Sequence, residues 1–412
     1  MSAPPRVTPA SAGYRRVFAV PEFRAVFAAH VLSMLGVIVS EIALSLLVYD
    51  LTRSPLLSAL TFALGFLPYA VGGTLLAPVA DRFPARRVLV TCDLVCAGCV
   101  ALMTAPGAGI GPLLALRCAL AVVSPVFAGT RMATLADVLG DGELFVLGRS
   151  LLRIVAQSTL LVGYGLGGLL LTAVSPRHAL LITVGTFLAS AALLRCGTRP
   201  RPARTRRGTG TPPGVDALFA DRRVRVLLLL FWMPAAFSVV PEALAAPYAD
   251  ELGSSSAGLG LLMCALPVGT VAGELFAGAR LGPVARERVA LPLLCPTLLP
   301  YLGFALRPGL TASLLLLLLS GAGSAYTLGL DQWFVRAVPQ ELRGRAMTVL
   351  SAGLMTAQGV GMALAGVAAQ VAGVRTAVAG AGAAGVLCCC GLAVAARATE
   401  SRDGAARHMT DG

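Results

Sequence analysis

The chain has 412 residues, 57% of them hydrophobic and only 13% charged, with a mean hydropathy of +0.81. A water-soluble domain carries about 25% charged residues, so this composition excludes one; a bilayer core of about 30 Å instead takes up roughly 20 apolar residues per helix. The net charge of +13 comes from 33 arginines and no lysine, and these lie between apolar runs rather than along one polar face, which excludes a nucleic-acid surface and fits membrane-flanking charge.

The predicted elements are twelve apolar segments. Residues 1–21 form a Pro-rich, cytoplasmic N-terminal tail with Arg6, Arg15 and Arg16; the first apolar run is too long for a cleavable signal. Segment 1 covers about Arg24 to Tyr49 and segment 2 Leu56 to Ala80. The arginine-rich turn Asp81-Arg82-Phe83-Pro84-Ala85-Arg86-Arg87 follows. Segment 3 covers Val88 to Met103, and Ala105 to Pro112 reverses the chain. Segment 4 runs from Leu113 to Ala133, segment 5 from Leu151 to Val174 and segment 6 from Leu180 to Leu194. Residues 195–225 break the apolar pattern with arginines among Pro, Gly and Thr, which reads as a charged linker between two halves. Segments 7 to 12 cover about Val226–Ala249, Ala257–Ala279, Val289–Leu306, Leu310–Trp333, Met347–Val371 and Thr376–Ala396. Residues 398–412 are a second tail.

Arginine counts set the orientation. The tails, the 2–3 turn, the linker, Arg280/Arg286/Arg288 and Arg336/Arg343/Arg345 share one side. The opposite loops hold only Arg53, Arg177, Arg307 and Arg375. Both termini are therefore expected in the cytoplasm. The halves align at an offset near 198: Arg24 with Arg222, Glu143 with Glu341, and Gly163-x-x-Leu166-x-Gly168 with Gly361-x-x-Leu364-x-Gly366. The expected domains are thus a six-helix bundle over residues 22–194 and a second over 226–397.

Ten cysteines lie mostly inside apolar runs. Cys92, Cys96 and Cys99 share a helical face without a histidine, so they read as small packing residues rather than a metal site. A Walker phosphate loop needs a lysine that the chain lacks, and His30, His178 and His408 are scattered. No cofactor, metal or enzymatic centre is expected, and an ion gradient rather than ATP would drive any uphill transport.

The turn Ala77 to Arg87 resembles the loop between helices 2 and 3 of the major facilitator superfamily. Asp81, Arg82 and Arg86 match its signature, while Ala77 and Pro84 replace its glycines. Arg117 resembles the arginine of the family's helix-4 antiporter signature, though Leu120 and Ala121 depart from the glutamine and glycine. Gly163-Tyr164-Gly165-Leu166-Gly167-Gly168 resembles the helix-5 drug-antiporter signature, with Tyr164 in place of proline. The stretch Phe334 to Ala346 is similar to the bacterial drug and macrolide efflux branch. The resemblance implies an all-α membrane protein of twelve transmembrane helices in two pseudo-symmetric six-helix bundles. It also implies an aspartate latch, in which Asp81 faces the start of helix 11, near Arg343 and Arg345, across the halves.

Charges inside apolar segments cost ~2.5–3.5 kcal/mol each at mid-helix, so they mark function by default. Glu41 in segment 1, Arg117 in segment 4 and Glu242 in segment 7 sit in the outer half of the bilayer. The resemblance implies that helices 1, 4 and 7 line one cavity; apolar burial opposed by the Arg117 guanidinium then makes Glu41 the expected main acid exchanging protons against substrate, with Glu242 second, and a purely structural Glu41–Arg117 pair is the plain alternative. Two prolines flank Glu242, so segment 7 either kinks there or ends early. Asp93 and Glu274 lie one to two turns from cytoplasmic arginines and are expected to pair locally. Gln157, Tyr164, Tyr326, Gln332 and Gln358 are candidate substrate contacts. The expected activity is export of small amphipathic compounds across the inner membrane in exchange for protons, by a monomer in the lipid bilayer. An uptake symporter or facilitator, and a non-transporting scaffold or sensor, are the alternatives.

Overall fold

The computed structural model describes residues 15–76, 79, 82–140, 143–201, 219–338 and 342–410, and among them there are helices and turns but no strand. The helices are α1 (Pro21–Thr52), α2 (Pro55–Phe66, resuming as Pro68–Leu75), α3 (Ala85–Met103), α4 (Ile110–Leu139), α5 (Glu143–Ala173) and α6 (Pro176–Gly197). Then come α7 (Arg222–Ser238, Val240–Ala243 and Ala245–Glu251), α8 (Ser256–Arg280) and α9 (Pro283–Leu294, continued by the 3-10 helix Pro296–Leu306). Last are α10 (Leu310–Gly323, a 3-10 turn Ser324–Tyr326, then Thr327–Ala337), α11 (Arg343–Ala372) and α12 (Val374–Thr410). Eleven are long and apolar enough to cross a membrane. The twelfth, α3, has 19 residues and carries Arg86, Arg87 and Asp93. This is a multi-pass membrane protein.

Local chemistry sets the helix ends. Ser54 caps α2 by accepting from the Leu57 amide at 3.4 Å, with Pro55 at the first helical position, where its missing N–H costs nothing. Asp221 caps α7 through the Arg223 amide at 2.7 Å. Prolines make the interruptions: Pro68 restarts α2, Pro241 stands in the middle piece of α7, and Pro296 and Pro300 tighten the end of α9 into a 3-10 helix. Large apolar side chains left outside, such as Leu275, Leu319 and Leu387, are what a lipid-facing surface requires.

The contacts divide the chain into two compact units. The first holds the chain up to Leu44, Val71–Gly163 and Val174–Arg207; the second holds Ser45–Ala70, Tyr164–Ala173 and the chain from Gly208 onward. The boundary does not follow the chain halves, because the α1–α2 hairpin and the end of α5 pack within the second unit. In the first unit α3 packs on α4 and α6, around Val26, Ala29, Leu89 and Leu194. In the second, α8 packs on α10 and α7 on α11 and α12.

One crossing recurs in both halves. A Cβ on Gly72 of α2 would meet the Val122 carbonyl oxygen of α4 at 2.1 Å, and one on Gly269 of α8 would meet the Leu318 carbonyl oxygen of α10 at 2.1 Å. Both need glycine because backbone touches backbone. The paired glycines and the paired carbonyls each recur at nearly the sequence-repeat offset.

Candidate functional site

The first polar pair lies in the first unit. Arg117 of α4 donates from Nη2 to Glu41 Oε1 of α1. Arg117 is buried and Glu41 mostly so, at 7% and 16% side-chain exposure. Neither charge is stable alone in an apolar interior, so each holds the other there; removing one partner from such a pair typically costs about 3–5 kcal/mol. The geometry pairs two of the three residues expected to couple protons.

The third, Glu242, belongs to the second unit. Helix α7 breaks at Val239 and again at Leu244, leaving a one-turn piece, Val240–Ala243, that holds Glu242. The helix resumes through Ala245–Glu251, so the prolines kink α7 rather than end it. Half-buried Glu242 accepts from Tyr164 Oη of α5. Four residues on, Gly168 meets Gly260 of α8: a Cβ on Gly168 would lie 2.5 Å from the Gly260 Cα. The glycines of α5 therefore bring two backbones together, and Tyr164 uses that approach to reach α7. Gly163 packs on Ile38, and Gly167 is buried. Gln358 of α11 is half-buried, and its Oε1 has no hydrogen-bond partner among the described residues. Tyr326 sits in the 3-10 turn of α10, 5% exposed.

Charged groups also interlock the arginine-poor loops of the second unit. Asp250 accepts from Tyr49 Oη at 3.2 Å and from Arg53 Nη1 at 3.1 Å. Ser54 Oγ donates to Gln370 Oε1 at 2.9 Å, and Arg375 pairs with Glu251 at 3.0 Å. The α1–α2 turn is thereby tied to the α7–α8 and α11–α12 turns. Arg53 stands at φ 51°, a strained left-handed position for a residue with a side chain. That turn aims its guanidinium at Asp250.

A match to the Major Facilitator Superfamily covers residues 26–242, more than half of the chain. The chain belongs to the major facilitator superfamily. Its relatives include the enterobactin exporter EntS of Salmonella choleraesuis strain SC-B67, 28% identical over a 375-residue alignment that covers 84% of this chain and 85% of that relative. Among solved structures it is similar to a bacterial homolog of the human lysosomal transporter Spinster in an inward-facing, unoccupied conformation, with a TM-score of 0.69, 16% identity and coverage of 92% of this chain and 97% of that one. It is similar to the nucleoside transporter NupG as well, at TM-score 0.68 and 14% identity over 90% of this chain and 98% of that one. These likenesses establish the all-α major facilitator fold. The protein is a membrane transporter rather than an enzyme.

Within this fold the other predicted residues fall as follows. Arg82 is exposed and Arg86 partly so. Asp81 and the side chains of Arg343, Arg345 and Gln157 lie outside the described residues, as do residues 202–218 of the predicted linker. At the linker's start Arg201 binds Glu22 of α1 through two nitrogens, at 2.6 and 2.8 Å. Asp93 does not pair with the turn arginines: it points into the first unit, where Ser33 and Ser190 donate to it at 3.4 and 2.6 Å. Beside it Arg131 donates to His30 Nδ1 and stacks on Phe127 at 4.1 Å. Sequence reading passes over His30 and Arg131, because one is a lone histidine and the other lies at the expected end of segment 4.

Proposed function

We propose that this transporter exports a small amphipathic metabolite or drug across the inner membrane in exchange for protons, by alternating access. The observation that carries the reading is the Glu41–Arg117 pair, a carboxylate and a guanidinium held together away from water in α1 and α4. A carboxylate in that setting answers to two opposed influences. Apolar surroundings favour its neutral form and the neighbouring guanidinium its charged form. Opening the site to water on one side and then the other changes that balance, so the acid loads a proton on one side and releases it on the other. Glu242, with Tyr164, is the second acid of the reading.

The export direction is supported by the relationship to an enterobactin exporter, which favours a small secreted metabolite over the macrolide branch as the cargo class. The concentration of arginines at one set of turns supports cytoplasmic termini. The latch of Asp81 against the start of α11 remains part of the proposal, with Arg82, Arg86, Arg343 and Arg345 around it, and Gln358, Tyr326 and Gln157 are its candidate substrate contacts. The transporter acts as a monomer.

The test uses inside-out vesicles preloaded with a proton gradient and a pH-sensitive dye. Adding enterobactin, and then a panel of amphipathic drugs, should dissipate the gradient with the wild type. Glu41→Gln, inserted at equal amount, should abolish the response. A rise of the gradient on substrate addition would mark symport, and no response to any compound in cells or vesicles would mark a scaffold or sensor.

A further inference from the structure

A second polar layer in the first unit plays no part in that reading. His30 of α1, Asp93 of α3, Arg131 of α4 and Ser190 of α6 are all buried, Asp93 to 1% exposure. They meet inside the stretch that crosses the bilayer, where a lone charge is costly.

Hydrogen counting shows what the layer can do. A guanidinium only donates. Arg131 Nη1 meets His30 Nδ1, so that nitrogen carries no proton and the ring is neutral, with its hydrogen on Nε2. Asp93 has no ion-pair partner among the described residues, and its two oxygens meet only hydroxyls. Arg131 is nonetheless within electrostatic reach of Asp93. One guanidinium therefore has two acceptors to choose between.

Ser190 completes the argument. Its Oγ lies 2.6 Å from Asp93 Oδ2 and 3.1 Å from the Ala29 carbonyl oxygen, yet it has one proton to give. With Asp93 charged, Ser190 donates to the carboxylate, and the Ala29 carbonyl keeps its helical partner. With a proton on Oδ2, the acid donates to Ser190 and Ser190 donates to Ala29. Both arrangements use the same heavy-atom positions. Ser33, at 3.4 Å from Oδ1, serves either form. The site thus accommodates an acid that gains and loses a proton, whereas a fixed structural carboxylate is surrounded by donors alone.

We propose that Asp93 is a third proton-exchanging acid of the transport cycle, beside Glu41 and Glu242, with Arg131 passing between His30 and Asp93 as the proton leaves and returns. Asp93 gives its proton to water, Arg131 turns an N–H from His30 Nδ1 to the new carboxylate, and reprotonation sends it back. The titratable and charged groups acting on Asp93 are Arg131 from α4, and Cys92 and Cys96 on α3 itself; α1 contributes Ser33 and α6 Ser190, and His30 of α1 reaches the acid only through Arg131. Its place in the cycle rests on the proton-coupled reading above, but the proton exchange itself does not.

The experiment is infrared difference spectroscopy of the full-length protein in lipid, titrated across the physiological pH range. The wild type should show a carboxylic-acid C=O band that fades reversibly as pH rises. Asp93→Asn should lack that band and Glu41→Gln should keep it. Ser190→Ala should move its midpoint by about one pH unit, tenfold in proton affinity. In vesicles, Asp93→Asn should flatten the pH dependence of transport at least several-fold, and His30→Gln, which keeps an acceptor for Arg131, should preserve it. A wild-type spectrum identical to that of Asp93→Asn overturns the proposal, as does an unaltered transport pH profile in Asp93→Asn. Absence of proton movement in the wild type would sink the coupling reading alone, because the spectrum still reports on Asp93.

Discussion

Asp250→Asn isolates the loop interlock of the second unit. Asparagine keeps the shape and one acceptor but removes the charge that Tyr49 and Arg53 address, at 3.2 and 3.1 Å. The Arg53 and Asp250 side chains are more than half exposed, at 63% and 52%, so their ion pair is worth about 0.2–1 kcal/mol after solvent screening. The Tyr49 hydrogen bond to a charged acceptor is worth about 1.5–3 kcal/mol when sheltered, and about half that here because the acceptor is wet. Asparagine retains part of it. The net loss is about 1–2 kcal/mol, a factor of roughly 5–30 in any equilibrium that separates these turns. Hydrogen–deuterium exchange of the purified transporter reads that equilibrium directly. Amides of the α1–α2 turn around Arg53 and of the α7–α8 turn around Gly253 should exchange about 5–30 times faster in the variant. Arg53→Gln should be smaller in effect, and adding it to Asp250→Asn should change little, since the two act through one contact. Unchanged protection at both turns, or acceleration spread evenly over the whole chain, would refute the interlock.

Further predictions concern the buried pairs and the helix crossing. Arg117→Gln alone should destabilise the transporter by about 3–5 kcal/mol, because it strands Glu41, while Arg117→Gln with Glu41→Gln should recover most of the thermal stability; a double variant no more stable than the single would remove the pair from the account. Gly168→Ala should cost about 1–3 kcal/mol by forcing α5 from α8, and Gly168→Leu should leave little folded protein by size-exclusion chromatography, whereas Gly111→Ala, with open space around its Cβ, should be neutral. Tyr164→Phe deletes one hydrogen bond to Glu242, worth about 1.5–3 kcal/mol to a charged acceptor. It should alter transport rate at least several-fold while leaving the melting temperature within a few degrees, and equal losses in both would assign Tyr164 to stability alone.

The fold was largely legible because lipid imposes a simple rule: each crossing needs about 20 apolar residues, and the arginines mark where crossings stop. The ends were less legible. Helix α1 begins at Pro21 rather than Arg24, and α12 runs to Thr410, well past the expected end at Ala396, because a helix that has left the bilayer can continue in water on its own hydrogen bonds. Helix α4 extends to Leu139, two turns past the expected end at Ala133, and that extension turns Arg131 from a flanking charge into a buried one. The prolines of α7 announced an interruption but not that the helix resumes. The glycines of α5 were visible as a motif, yet their contact with Gly260 depends on how α5 and α8 are rotated about their axes, which spacing within one helix does not encode.

Partnering, by contrast, has a depth signature that sequence does carry. A buried charge in lipid requires an opposite charge or a donor at the same height, and each residue of helix advances about 1.5 Å. Glu41 and Arg117 satisfy that match near the arginine-poor ends of α1 and α4. Asp93 satisfies it just as well: it lies eight residues into α3 from Ala85, and Arg131 lies eight residues before the end of α4 at Leu139, so both sit about 12 Å from the same ends of adjacent helices. Helices α3 and α4 are neighbours in chain order, which makes this match in height the easier of the two to anticipate. What hid it was the short estimate of α4. Depth therefore selects which groups can meet, while helix rotation selects which do, and His30 holds Arg131 only because α1 turns that residue, about three turns below Glu41 on the same stripe, toward α4.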